Sequence, residues 1–246
     1  MPKVSVITVT YNCQSVIEET ILSIINQSFK DFEFIVIDGS SKDRTLQIIN
    51  KYSPLISILI SEPDKGIYDA MNKGLATASG EWIIFMNAGD KFSDNDVLQK
   101  VFSSKKSISE DVIFGKCNLK YGTRIVQGKR PIPFYEQKRI CPSMGYSHQS
   151  VFVKKEALGG ICFDTNYKIA ADYNMFKQLY NRGVVFKYID IPISDMDMAD
   201  GLSANNRKLQ RLEMAKINGV ENDIRFKMWL CYRSVIEIIK IYINRR

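Results

Sequence analysis

The segment Asn87-Ala88-Gly89-Asp90, directly after the apolar run Trp82–Met86, is the clearest candidate for cation chemistry in this chain. Mg2+ and Mn2+ take oxygen ligands and are often held by one or two carboxylates together with the phosphates of a substrate. Asp90 fits that sparse role, and Gly89 lets the backbone come close to a ligand. A turn followed by a helix cap would use the same residue types. Polar residues also close two earlier β-branched runs: Thr8, Thr10, Tyr11 and Asn12 at the first, Asp38 at the second. Asp, Asn and Gly are ordinary turn residues, but three such ends along one sheet edge favour a binding site.

Phosphate-binding loops are missing. Gly122 to Lys129 has the wrong spacing for G-x-x-x-x-G-K-[ST], and no G-x-G-x-x-G occurs. A phosphorylated ligand would need its charge neutralised by other means, and a divalent cation is the obvious one. The chain has one histidine, His148, and five cysteines (Cys13, Cys117, Cys141, Cys162, Cys231), none in a CxxC pair. Poly-histidine metal sites are thereby excluded, and a disulfide framework or structural zinc is disfavoured. A Ser-His-Asp triad would have to use His148, so carboxylates must carry most acid–base or metal chemistry.

To converge, these residues need a scaffold. With 246 residues, 45% hydrophobic and 25% charged, the chain is long enough for one large α/β domain and too apolar to be disordered. No uncharged apolar run approaches the ~18 residues of a transmembrane helix. The opening Met-Pro-Lys-Val-Ser-Val-Ile lacks a secretory cleavage signature, so a cytoplasmic location is expected. Val4 to Thr10, Phe32 to Ile37, Ile56 to Ile60 and Glu81 to Met86 read as strands. Helical patterns over residues 15–27, Thr45 to Tyr52 and Ile67 to Ala78 separate them. This alternation predicts right-handed crossovers and a mostly parallel sheet with helices on both faces. Ligands of such sheets bind outside the carboxyl ends of the strands.

Beyond Asp90 the pattern loosens. It predicts a helix over 94–103, strands Val112 to Cys117 and Thr123 to Gln127, and an irregular loop from Arg130 to Gly145. A strand Ser150 to Val153, a helix Asp172 to Asn181, a strand Val184 to Ile189 and helices over 204–222 and 224–244 follow. The expected division is a domain of residues 1–205 and a C-terminal helical appendage, 206–246.

Four segments taken in order carry a family resemblance: Val4-Ser5-Val6-Ile7-Thr8-Val9-Thr10-Tyr11-Asn12, Val36-Ile37-Asp38-Gly39-Ser40-Ser41-Lys42-Asp43, Ser61 to Gly74, and Ala78-Ser79-Gly80-Glu81 leading into Phe85 to Asp90. Over roughly the first 200 residues the chain resembles the family 2 nucleotide-sugar glycosyltransferases of the GT-A fold. The resemblance implies a Rossmann-like α/β enzyme of polysaccharide or glycoconjugate synthesis. It would move a sugar from a nucleoside-diphosphate sugar, UDP-linked, to an acceptor hydroxyl with inversion. It implies that Thr8, Thr10, Tyr11 and Asn12 line the nucleotide, that Asp38 contacts its base and that Asp64 faces it, with Asn87, Ala88 and Gly89 alongside.

Asp90 matches the last acidic residue of the family's Asp-x-Asp metal motif, whereas Asn87 stands at the first acidic position. An amide offers an oxygen but no charge, so Asp90 becomes the expected direct ligand of Mg2+ or Mn2+. Asn87 also supports an alternative, a non-catalytic sugar-nucleotide or glycan-binding module of the same fold. Ala170-Ala171-Asp172-Tyr173 resembles the Glu-Asp-Tyr type motif whose aspartate is the base of inverting members. An acceptor hydroxyl must lose its proton as it attacks, and a positioned carboxylate typically accelerates that ~10²–10⁴-fold. Asp is equally a favoured helix N-cap. His148 and Gln149 resemble a segment that contacts donor or acceptor. Asp197, Asp200, Gly201, Leu202 and Ser203 resemble a late loop that closes over the donor. Arg207 and Lys208 after it either meet the diphosphate or form a solvated charged face.

In the last segment, Phe226, Met228, Trp229, Tyr232, Val235, Ile236, Ile239, Tyr242 and Ile243 form an apolar stripe opposite Arg233, Glu237 and Lys240. Such a helix can lie on a membrane surface, pack on the domain or pair two copies of the chain as a homo-oligomer. The membrane is favoured because the family often uses lipid-linked acceptors, and the net charge of +7 (34 Lys+Arg against 27 Asp+Glu) suits anionic lipid. The expected partners are a nucleoside-diphosphate sugar, a saccharide or lipid-linked saccharide acceptor, and the inner face of the cytoplasmic membrane. Nucleic acid finds no recognition motif.

Overall fold

The strand β1 (Val4–Thr10) is buried along its whole length, as a β-branched run with neighbours on both sides must be. It pairs in parallel with β2 (Phe32–Asp38) and β4 (Trp82–Phe85), and β2 carries β3 (Ile58–Ser61) on its outer side. Helices α1 (Ile17–Ile25), α2 (Thr45–Asn50) and α3 (Ile67–Thr77) make the crossovers. The register sets Thr10 beside Asp38 and Asp38 beside Ser61, so the polar strand ends finish level. The structure, a computed structural model, describes residues 1–103, 109–133, 145, 147–197 and 206–243, the last seven through the backbone only.

Side chains alternate across this sheet. Val4, Val6, Phe34, Val36, Trp82 and Ile84 pack with Ile17, Ile21 and Ile24 of α1 and Ile49 of α2 on one face. Ile7, Val9, Ile35, Ile37, Ile83 and Phe85 meet Tyr68 and Met71 of α3 on the other. Each such side chain contributes roughly 1.5–3 kcal/mol by burial. A one-residue slip would exchange the two faces, so the alternation fixes the register. At the amino ends of β1 and β2 the buried Glu33 accepts hydrogen bonds from the Ser5 hydroxyl, the Ser79 N–H and hydroxyl, and the Gly80 N–H. Burial alone would raise its pKa; these bonds outweigh burial and hold the carboxyl below its ordinary value.

The second half extends the same sheet with β5 (Lys91–Phe92), β6 (Val112–Tyr121), β7 (Arg124–Val126), β8 (Val151–Lys154) and β9 (Phe186–Asp197). The order is β3-β2-β1-β4-β8-β6-β9-β5, with β7 paired to β6. Here β8 runs antiparallel to β4 and β6, β5 antiparallel to β9, and β6 parallel to β9. The parallel sheet read from the sequence is therefore the β3-β2-β1-β4 half. Antiparallel neighbours need no crossover helix, and the sequence rhythm of strand and helix is lost where they begin. Helices α4 (Val97–Phe102), α5 (Lys155–Leu158), α6 (Ala171–Asn181), α7 (Arg207–Ile217) and α8 (Ile224–Ile243) complete the described elements.

Met214 of α7 joins the core beside α6. Phe226 of α8 is buried with Ala215 and Val220, and Trp229 and Leu230 pack against them. Ile224, Met228, Tyr232 and Val235 face outward, 68%, 67%, 64% and 48% exposed, which leaves an apolar strip uncovered. The single stripe read from the sequence thus divides into an inner and an outer face. Among the described residues, no helix is long and apolar enough to cross a membrane. Most of the loop Arg130 to Gly145, with Cys141, and the segment with Asp200, Gly201, Leu202 and Ser203 lie outside the described residues.

Candidate active site

The loops after β1 and β2 brace each other. The Asn12 N–H donates to Ser41 Oγ, and Asn12 Oδ1 accepts from the Lys42 N–H, both at 2.8 Å. Asn12 (φ 51°) and Ser40 (φ 61°) are the two non-glycine residues in the left-handed region among the described residues. Backbone strain of this kind collects where a ligand site must be held open. Asp38 is fully buried, and its carboxylate accepts from the Ser41 hydroxyl and N–H and from the Ser61 hydroxyl. A Cβ at Gly39 would lie 2.2 Å from Asp64 Oδ2 and 3.3 Å from the Tyr11 ring, so both side chains close over bare backbone. Asp64 is held by the Gly66 N–H at 2.8 Å, and its turn by Lys73 Nζ on the Pro63 carbonyl at 2.7 Å. Tyr11 presents a ring 59% exposed.

Thr10 Oγ1 is buried and has no hydrogen-bond partner among the described residues. Thr8 differs from its neighbours: it is fully buried and its hydroxyl donates to the Met86 carbonyl at 2.7 Å, tying β1 to the end of β4. The structure brings Thr10, Tyr11, Asn12, Asp38 and Asp64 to one edge and turns Thr8 into the core.

At the end of β4, Thr20 of α1 clamps the next turn. Its hydroxyl donates to the Asp90 carbonyl at 2.8 Å and accepts from the Gly89 N–H at 3.0 Å. Gly89 sits at φ 100°, which only glycine adopts without strain, and the Ala88 N–H donates to the Val9 carbonyl. Asn87 Nδ2 donates to His148 Nε2 at 3.1 Å, while its buried Oδ1 has no partner. Asp90 Oδ1 accepts from Gln149 Nε2 at 3.1 Å. Desolvation pushes the Asp90 pKa up to about 6; His148 and the Gln149 bond pull it back, and the charge of Asp197 adds to the rise. Pairing of Lys91 with Asp195 across β5 and β9 brings Asp197 to this corner. Among the described residues, no group of three or more His, Cys, Asp and Glu side chains could hold a metal unaided.

Asp172 lies in the first turn of α6 and is 4% exposed. Ala170, not Asp172, is the cap residue of that helix, and no side chain caps it. Asp172 Oδ2 accepts from His148 Nδ1 at 3.1 Å, while Oδ1 accepts from the Tyr173 N–H at 2.8 Å and from the Tyr68 hydroxyl at 3.4 Å. With Nε2 accepting from Asn87, the network assigns the histidine proton to Nδ1. Burial alone would lower the His148 pKa; its hydrogen bond to Asp172, and the charges of Asp172 and Asp90, outweigh that and raise it. Burial, then the charge of Asp172, pushes the Tyr68 phenol up, so it remains a donor.

His148 and Gln149 belong to one 3-10 turn, His148–Ser150, and each holds a different carboxylate. Ser150 pins that turn through its hydroxyl on the Lys116 carbonyl at 3.1 Å. Arg207 and Lys208 are exposed at the start of α7. Sequence reasoning gave no role to Tyr68 or Thr20; Tyr68 lies within the Ser61 to Gly74 motif, whereas Thr20 sits unmarked inside an ordinary amphipathic helix.

Comparison with known proteins now gives this edge a class. The family model described as Glycosyl transferase family 2 matches residues 5–158, and the chain belongs to that family. A PGL/p-HBAD biosynthesis glycosyltransferase of Mycobacterium bovis (strain BCG / Pasteur 1173P2) is 28% identical over 233 residues, 89% of this chain and 87% of the relative. Among solved structures, S. aureus TarS 1-349 in complex with UDP-GlcNAc aligns with TM-score 0.73 at 22% identity, over 89% of this chain and 66% of that one. The mannosyltransferase PcManGT from Pyrobaculum calidifontis, in complex with GDP-Man and Mn2+, aligns with TM-score 0.65 at 20% identity, over 88% and 63%. This chain thus spans about two thirds of those two structures. The fold is the GT-A fold that the resemblance implied, and the protein is a glycosyltransferase. The non-catalytic module raised by Asn87 gives way to that finding.

Proposed function

We propose that this glycosyltransferase moves a sugar, with inversion, from a UDP-sugar to a hydroxyl of a saccharide or lipid-linked saccharide. The observation that carries the reading is the His148–Ser150 turn: adjacent side chains steady Asp90 on one hand and Asp172 on the other. Tyr11, Asp38 and Asp64 receive the base, Tyr11 as a stacking face, while Thr10 Oγ1 and Asn87 Oδ1 stand as unpaired polar atoms for the rest of the nucleotide. Asp172 Oδ2 takes the acceptor proton as the acceptor oxygen bonds to the anomeric carbon. The carbon–oxygen bond to phosphate breaks, and the diphosphate leaves with its electron pair. Tyr68 and His148 hold Asp172 in place and disperse its charge until the proton arrives.

Mg2+ or Mn2+ fits the β4 corner. Asp90 is a desolvated carboxyl whose side-chain hydrogen-bond donor is the neutral Gln149 amide, and the orphan Asn87 Oδ1 supplies a neutral oxygen. Two protein oxygens plus diphosphate oxygens are a usual set for these ions. When bound, the cation would neutralise charge developing on the diphosphate. The outer apolar strip of α8, with the exposed Lys227 beside it, supports peripheral contact with an anionic membrane on the cytoplasmic side. Sedimentation with vesicles of anionic or neutral lipid tests that contact; binding to neither rejects it. Hydrolysis of UDP-glucose, UDP-galactose, UDP-N-acetylglucosamine and GDP-mannose, with water as acceptor, tests the donor class. Asp172→Asn is expected to abolish turnover while UDP still binds by calorimetry. Unchanged turnover would remove Asp172 from the chemistry.

A further inference from the structure

We infer that Glu213, on α7, is a positioning residue for Asp172, so that the C-terminal helices belong to the catalytic machinery. The inference rests on Asp172 being the base. Helix α6 begins without a side-chain cap. The N–H groups just before Asp172 instead converge on one carboxylate: Lys168 donates to Glu213 Oε1, and Ile169 and Ala170 donate to Oε2, each at 2.9 Å. Ile169 is 4% exposed and Ala170 fully buried. Without the carboxylate the Ile169 and Ala170 donors would be left unpaired in buried residues, which the backbone avoids by moving. Negative charge at this place also suits the start of a helix.

The residue that follows α7 holds the side chain next to Asp172. Asn218 Nδ2 donates to Tyr173 Oη and to the Met214 carbonyl, both at 2.7 Å. Tyr173 is the residue whose N–H holds Asp172 Oδ1. Residues 213–218 therefore grip the chain before and after Asp172, across separations of 43 to 45 residues in sequence. Release of the 168–170 segment would let Asp172 drift from His148 and from the acceptor. A displacement of about 1 Å costs roughly 10²-fold in rate.

The test uses the full chain and the fastest-hydrolysed of the sugar nucleotides named above, with water as acceptor. Glu213→Gln, which keeps the shape, is expected to lower kcat about 10-fold or more, and Glu213→Ala further, with donor KM and UDP affinity little changed. Glu33→Gln, at the opposite sheet edge, serves as a control that melts lower but keeps kcat. Wild-type kcat in both Glu213 variants would overturn the inference. So would a loss of UDP affinity matching the loss of kcat, or an equal fall in kcat for Glu33→Gln at the same melting temperature. Asp172→Asn with wild-type turnover would instead sink the base assignment, an outcome that no Glu213 variant can mimic.

Discussion

Removing the charge of Asp90 should make the unliganded protein more stable while it weakens nucleotide binding. Desolvation favours the protonated carboxyl in the folded chain, raising its pKa from 3.8 to about 6. The difference, 6 − 3.8, is about 2 units, and at about 1.4 kcal/mol per unit the folded state carries a penalty of at most ~3 kcal/mol near neutral pH. The sign follows from which form the fold prefers. The penalty is absent below the ordinary Asp pKa, grows as the pH rises from about 4 to 6, and is complete above that. Asn at position 90 is never charged and keeps an oxygen for Gln149. For a chain of this length each kcal/mol is worth roughly 2–4 °C, so Asp90→Asn should melt up to about 6–12 °C higher at pH 7.5. The gain should vanish at pH 4. Circular dichroism melts across that range measure it, repeated with UDP and Mn2+. The ligands should raise the wild-type midpoint and leave the variant nearly unmoved, since binding to the folded state alone stabilises by mass action. Equal midpoints at pH 7.5, or a gain indifferent to pH, would refute the reasoning.

Gly39→Ala places a methyl group 2.2 Å from Asp64 Oδ2, so Asp64 must swing away; calorimetry should find UDP bound about tenfold more weakly, ~1.4 kcal/mol, with the fold intact. Glu33→Gln keeps an oxygen for the Ser5 hydroxyl and the Ser79 and Gly80 N–H groups but removes the charge that strengthens those bonds. It should cost about 1–2 kcal/mol, read as a lower urea midpoint. Because the Glu33 pKa is lowered in the fold, that stabilisation is present above the ordinary value of 4.5 and fades as the pH falls through the folded value. Tyr68→Phe removes one donor from Asp172 while keeping the ring in the core, so kcat should fall more than the melting temperature.

The strands and crossovers of the first half were legible because a buried parallel strand has a simple signature: Val4–Thr10 is β-branched at every position but Ser5, and polar residues mark where it stops. The residues closing β1, β2 and β4 meet at one edge for the same reason. Thr8 shares a face with Thr10 but lies one pleat deeper in β1, where its hydroxyl is used by the Met86 carbonyl; motif resemblance carries a segment and not the depth at which each residue sits. The two-residue β5 and the full length of β9 left no periodic trace, yet their pairing is what brings Asp197 near Asp90. Glu213 was invisible for a different reason: a carboxylate that serves backbone N–H groups forty residues earlier has no local sequence pattern.

Neighbouring α-carbons across a trans peptide are 3.8 Å apart, and no described peptide bond is cis. Because consecutive residues, His148 and Gln149, reach Asp172 and Asp90, the roles proposed for those two carboxylates would bolt the reach between departing phosphate and incoming alcohol to a single peptide unit. Neither end can be retuned alone without dislodging the other. On those proposed roles, choice of sugar and acceptor would fall to the surrounding walls, with this short ruler left at constant gauge.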